Sequence, residues 1–125
     1  LGGAVTEGIK DFVSNHPHLY KCLAGWGLDN LVQLVKYEPN QYYAPIHCEN
    51  SGHSVCIRRV FAWEIFLNNI ESGGGTKFTY QDFIAQPIAG DFYMWPAGFT
   101  HVHQGVNAPH EEKYLVTGWC SFISP

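Results

Sequence analysis

Apolar residues fall at helical spacing only near the start of the chain. In "AVTEGIKDFVSN", residues 4–15, Val5, Ile9, Phe12 and Val13 share one face, which predicts an amphipathic helix ended by Asn15 and the following "HPH". Beyond it the pattern changes to short apolar, β-branched and aromatic runs broken by Gly, Pro and Asn. "LVQLVKYEP" (31–39) predicts a strand, and "QYYAPIHCENSG" (41–52) is strand-like and then turns at Asn50 to Gly52. "SVCIRRVFAWEIFLN" (54–68) suits one long strand or two. "NIESGGGTKF" (69–78) is a Gly-rich turn leading into a strand, and "FIAQPIAGDFYMWP" (83–96) reads as strand, turn at Pro87 to Gly90, strand. "THVHQGV" (100–106) and "KYLVTGWCSFI" (113–123) complete the series. Roughly eight short strands with turns about every 8 to 12 residues predict a mainly β sandwich, jelly roll or barrel rather than βαβ units.

Composition agrees with a β-rich core. The 125 residues are 46% hydrophobic and include eight Phe, seven Tyr and four Trp, with thirteen Gly and seven Pro for turns. That is enough for one domain, residues 1–125, and too little for two. The chain opens on Leu1 rather than Met, so we expect it to be a domain cut at its N-terminus from something longer. The formal net charge is -4, and only Arg58 and Arg59 are adjacent basic residues, so no nucleic-acid partner is expected. No apolar run approaches the ~20 residues of a membrane span, so no membrane association is expected either. Cys22, Cys48, Cys56 and Cys120 form no CxxC pair and read as reduced core thiols of a cytoplasmic protein.

The polar residues that stand out are pairs with one residue between them. His47 and Glu49 sit in "IHCENSG", and His101 and His103 in "THVHQG". On a strand, residues two apart face the same side, so each pair can point at one place. Two histidines and one carboxylate on one face, with other positions open, form the facial triad that holds non-haem Fe(II). Spacing alone leaves open which of His101 and His103 takes part. His16, His18, His53 and His110 lie in loop-like contexts and are expected at the surface. Lys113 opens an apolar strand, and a lysine among core-facing residues needs a counter-ion.

The ordered set from Tyr37 to Trp119 resembles the 2-oxoglutarate- and Fe(II)-dependent dioxygenases of the prolyl 4-hydroxylase type. The resemblance is carried by a Tyr-containing strand, the HxE pair, Arg59, "FLN", "GGGTKF", the "P…G" hairpin, the distal histidine, a basic residue about ten later and a Trp six after that. It implies a double-stranded β-helix, a jelly-roll variant, with an N-terminal helix. It implies Fe(II) held by His47, Glu49 and a distal histidine, and counting back from Lys113 favours His103 over His101. It implies that Lys113 pairs with the remote carboxylate of 2-oxoglutarate and that Tyr37 lines the cosubstrate pocket. Arg59 is expected to be structural or substrate-facing, Thr76 and Phe78 to serve the fold, and Trp119 to belong to the core. The implied reaction hydroxylates a C–H bond, most simply of a peptidyl prolyl or similar side chain, using oxygen and releasing succinate and carbon dioxide. Ascorbate is a further candidate cofactor; the substrate is a peptide, protein or small molecule. Because ligand histidines must be neutral, metal affinity is expected to fall as pH drops through roughly 6 to 5.

Two departures bear on this reading. Glu49 stands where the family usually has Asp, and Phe66 where it usually has a Tyr whose hydroxyl touches the cosubstrate; Tyr37, Tyr43 or Thr117 could replace that hydroxyl. These departures favour an alternative, a metal-binding jelly-roll module that no longer turns over. A cupin-like metalloenzyme using the same triad without 2-oxoglutarate is another alternative, and Lys113 argues against it. A purely structural β-sandwich would bind no divalent metal tightly.

Overall fold

The computed structural model describes residues 2–123. It is mainly β with an N-terminal helix, as the pattern predicts. Helix α1 spans Gly2–Ser14 and a one-turn helix α2 spans Leu19–Cys22; seven strands follow. They are β1 (Trp26–Tyr37), β2 (Arg59–Phe66), β3 (Thr76–Phe78), β4 (Phe83–Ala85), β5 (Phe92–Pro96), β6 (His103–Gly105) and β7 (Lys113–Phe122). A larger antiparallel sheet has the order β1-β7-β2-β5, and a smaller one the order β4-β3-β6. The two sheets make the jelly roll expected from the strand spacing.

Strand β2 is the centre of the packing. Six successive residues from Phe61 to Phe66 are buried, because both faces of the larger sheet are covered. Phe61, Trp63 and Ile65 pack with Val5 of α1, Val116 and Cys120 on one side. Ala62 and Phe66 pack with Phe78, Ala85, Trp95, Leu115 and Trp119 on the other, between the sheets. This two-sided burial is why the 54–68 run shows no polar alternation. Gly118 crosses the Trp63 indole so closely that a Cβ there would overlap the ring. Gly73 adopts φ 74, and a side chain there would strike the Asn107 carbonyl.

Two expectations are corrected. The 54–68 run is a strand only over Arg59–Phe66, and residues 54–58 form turns. The 41–52 segment is not a strand either. Pro45 has no N–H to offer a ladder, Asn40 takes the left-handed conformation at φ 69, and only an isolated bridge joins His47 to His103. The chain there is extended for a moment and then tied to other loops. No helix among the described residues is long and apolar enough to cross a membrane.

Candidate metal centre

The bridge at His47 is what assembles the site. The His47 N–H donates to the His103 carbonyl at 3.0 Å, and the His103 N–H returns the bond at 2.9 Å. The Glu49 N–H donates to the Ala97 carbonyl at 3.0 Å, and Arg59 Nη1 donates to the Glu49 carbonyl at 3.1 Å. Four hydrogen bonds, three between backbones and one from Arg59, thus fix the loop segment. Glu49 Oε2 lies 3.1 Å from His47 Nε2 and 2.9 Å from His103 Nε2. All three ligand atoms lie within 4.8 Å of one another.

The second ring nitrogens are committed elsewhere. His47 Nδ1 donates to the Pro45 carbonyl at 3.0 Å, and His103 Nδ1 to the His101 carbonyl at 2.9 Å. A carbonyl only accepts, so the protons sit on Nδ1 and the Nε2 lone pairs face the carboxylate. With both rings neutral, two lone pairs and a carboxylate oxygen converge as a donor set; with a ring protonated, its Nε2 donates to Glu49 Oε2 instead. Neighbouring ligands about 2.1 Å from one ion lie about 3 Å apart, so this donor set fits a first-row divalent metal. Burial alone would raise the Glu49 carboxyl, but hydrogen bonds from His103, His47 and Trp119 hold it well below the usual carboxylate range. The Glu49 hydrogen bond pushes His47 up, against burial.

The triad lines a cavity of about 360 Å³ that also takes in Tyr37, Glu64, Thr76 and Lys113. That volume suits a small ligand. Lys113 is 4% exposed, stands 5.6 Å from the centre of the Tyr37 ring, and reaches only the Gly75 carbonyl, at 3.4 Å. Burial lowers its ammonium and Glu64 partly restores it. Lys113 and Tyr37, the residues the resemblance assigns to the cosubstrate, thus line the same cavity as the triad. It did not anticipate that the chain supplies its own buried carboxylate beside the lysine.

Other residues stand differently from expectation. His101 does not share a face with His103, because Phe99–His101 form a 3-10 turn and the strand starts only at His103. The His101 ring contacts Thr100 Oγ1 at 2.9 Å, and only its carbonyl serves the site. His101→Ala is therefore expected to leave metal affinity within about threefold of wild type in a chelator competition, as a half-exposed ring should. Thr76 was expected to serve the fold; its hydroxyl faces the cavity and donates to Glu64 at 2.6 Å. Trp119 is in the core as expected, yet its indole N–H also donates to Glu49 Oε1 at 2.8 Å. Arg59 stacks on Trp119 with its guanidinium carbon 4.0 Å from the ring centre. The residues missed from sequence are thus Trp119 as the group that orients Glu49, and Glu64. His16, His18, His53 and His110 are exposed as expected. All four cysteines are free, with Cys56 and Cys120 buried, Cys48 half-buried and Cys22 exposed rather than in the core.

Comparison with known proteins fits this geometry. No family model matches the chain. It is 31% identical over 126 residues to procollagen-lysine,2-oxoglutarate 5-dioxygenase 2 of Homo sapiens and to the same protein of Mus musculus. The alignment covers 94% of this chain, which spans 15% of the length of those relatives. Among solved structures, a viral collagen prolyl hydroxylase from Paramecium bursaria Chlorella virus-1, in complex with 2OG, superposes with a TM-score of 0.76 at 19% identity. That match covers 96% of this chain and 72% of the viral one. A Pseudomonas putida prolyl-4-hydroxylase gives a TM-score of 0.64 at 22% identity, over 79% of this chain and 57% of that one. In sequence the chain resembles part of a procollagen-lysine 2-oxoglutarate dioxygenase, and it has the fold of the prolyl hydroxylases.

Proposed function

We propose that this chain is the catalytic domain of an Fe(II)- and 2-oxoglutarate-dependent dioxygenase that hydroxylates a C–H bond of a peptidyl prolyl or similar side chain. One observation carries the reading: a convergent His47–Glu49–His103 set opens on a cavity that also holds the buried Lys113 ammonium. A facial set leaves other coordination positions for a cosubstrate and oxygen, and a buried cation suits a dicarboxylate cosubstrate. The solved and curated relatives carry prolyl and lysyl hydroxylase names, which favours a peptide substrate.

Bound Fe(II) would supply oxygen activation, with 2-oxoglutarate as the electron source leaving as succinate and carbon dioxide. The protein's part is positioning. His47, Glu49 and His103 hold the ion, and their Nδ1 and Oε1 partners fix the tautomers and the carboxylate rotation. Lys113, with the Tyr37 ring near it, holds the far end of the cosubstrate. Ala62, Trp95 and Leu115 give the same cavity apolar walls. On the substrate side stand Arg59 and the exposed Tyr43, whose ring meets His47 edge-on at 4.7 Å.

The test is spectroscopic and catalytic. Fe(II) and 2-oxoglutarate added without oxygen are expected to give a weak visible charge-transfer band, absent in His103→Ala. Oxygen and ascorbate are then expected to give succinate, faster with a proline-rich peptide. Metal bound with no band and no succinate would remove the 2-oxoglutarate reading.

A further inference from the structure

Glu64 is a buried acid that no part of the above chemistry uses. It is 3% exposed, in the middle of β2, on the same face as Ala62 and Phe66. Its carboxyl lines the cavity that holds Lys113. Both of its oxygens turn to one partner, the Thr76 hydroxyl, at 2.6 Å and 3.0 Å. A hydroxyl has a single proton to give, so one carboxyl oxygen is left with hydrogen-bonding capacity unused. Lys113 is its neighbour in the cavity but spends its one hydrogen bond on the Gly75 carbonyl.

Charge makes this arrangement incompatible with a bare carboxylate once a dicarboxylate arrives. The buried Lys113 ammonium would then stand beside two carboxylates, that of Glu64 and the far end of the ligand, and two carboxylates sharing one site push one of them toward its neutral form. The other charged or titratable groups around Glu64 act on it in both directions. Lys113 of β7 and His103 of β6 favour its charged form, Glu49 opposes it, and the phenols of Tyr37 on β1 and Tyr93 on β5 are neutral. Burial is the largest influence on Glu64 and raises its carboxyl. Two residues further along the same face, Phe66 lacks the hydroxyl that the resemblance would place against the cosubstrate.

We propose that Glu64 is a cosubstrate-binding residue that acts as a neutral acid: protonated in the complex, it donates a hydrogen bond to the remote carboxylate beside Lys113 and replaces the donor missing at Phe66. The proposal rests on the dioxygenase reading. It makes the recognition of that carboxylate one cation plus one acid proton, with Thr76 holding the other Glu64 oxygen.

A neutral carboxylic acid has a carbonyl stretch above the amide band that carboxylates lack. Infrared spectra of the Zn(II)-loaded protein with uniformly 13C-labelled 2-oxoglutarate, wild type minus Glu64→Gln, are expected to show one such band, shifted down in heavy water. By calorimetry Glu64→Gln, which keeps a donor, is expected to bind 2-oxoglutarate within about threefold of wild type. Glu64→Leu, which has none, is expected to bind at least about tenfold more weakly. Binding without the band means a charged Glu64 and overturns the proposal while leaving the dioxygenase reading intact. No 2-oxoglutarate binding to the metal-loaded wild type overturns both.

Discussion

Glu49→Asp is expected to loosen the bound metal by about ten- to a hundredfold, even though aspartate is the usual residue at this position in the family the chain resembles. The reason is where the backbone sits. The Glu49 main chain is tied to Ala97 and to Arg59, so it cannot follow a shorter side chain inward. The longer side chain delivers Oε2 to both Nε2 atoms, at 3.1 Å and 2.9 Å, while Oε1 takes the Trp119 N–H at 2.8 Å. Aspartate can satisfy the metal or the indole, and not both. Glu49→Ala should lose more than about a hundredfold, since a direct ligand is worth more than the partner that orients one. Both values come from competition with a chromophoric chelator, and an aspartate variant that binds as tightly as wild type would refute the argument. Acid acts at the same place. The hydrogen bond to Glu49 raises His47, so the proton competes with the metal from above the ordinary imidazole value near 6.5. Metal affinity should begin to fall there, earlier on acidification than the sequence alone suggested.

The convergence of His47, Glu49 and His103 was legible because these residue types are rare together and their order is fixed by the strands that follow. The reason first given for it was only half right. His47 and Glu49 do point to one place, but they do so from a loop held by a single bridge, and nothing in "QYYAPIHCENSG" announces bonds to His103 and Ala97. The choice between His101 and His103 depended on a 3-10 turn at Phe99–His101 that breaks the two-residue periodicity. Local spacing cannot reveal such a turn, although the preceding "PAG" is consistent with one. Trp119 was read as core because a tryptophan in an apolar strand is nearly always that. Its second role depends on Glu49, seventy residues away in sequence. Glu64 did leave a trace. It is the only charge in "VFAWEIF", residues 60–66, a run without alternation and so buried on both faces. A lone acid in such a run must be partnered or neutral, and that rule could have singled it out.

Lys113→Met is expected to weaken 2-oxoglutarate binding by about ten- to a hundredfold while leaving metal affinity within about threefold. A charge-assisted hydrogen bond in a buried site is worth about 1.5–3 kcal/mol, which sets that range. Lys113 belongs to β7 and makes no contact with the triad atoms, so the metal should not notice its loss. Calorimetric titration of the Zn(II)-loaded protein separates the two affinities; unchanged 2-oxoglutarate affinity would take the cosubstrate role away from this lysine. Stability gives an independent check on the same pair. With the ammonium gone, Glu64 stays buried beside Thr76 and must hold a proton or pay to be charged, so Lys113→Met should lose stability as pH rises above the ordinary carboxylate range. The sign follows from the linkage. Glu64 is already raised by burial, and losing Lys113 removes an influence that lowers it, so the folded state holds its proton to higher pH than the unfolded chain and loses stability as pH rises. Adding Glu64→Leu should remove that pH dependence and recover most of the lost stability, because an apolar pair of similar volume replaces a buried ionic one at little cost. The double variant would then fold well and bind metal, yet have neither cation nor acid proton with which to hold a dicarboxylate.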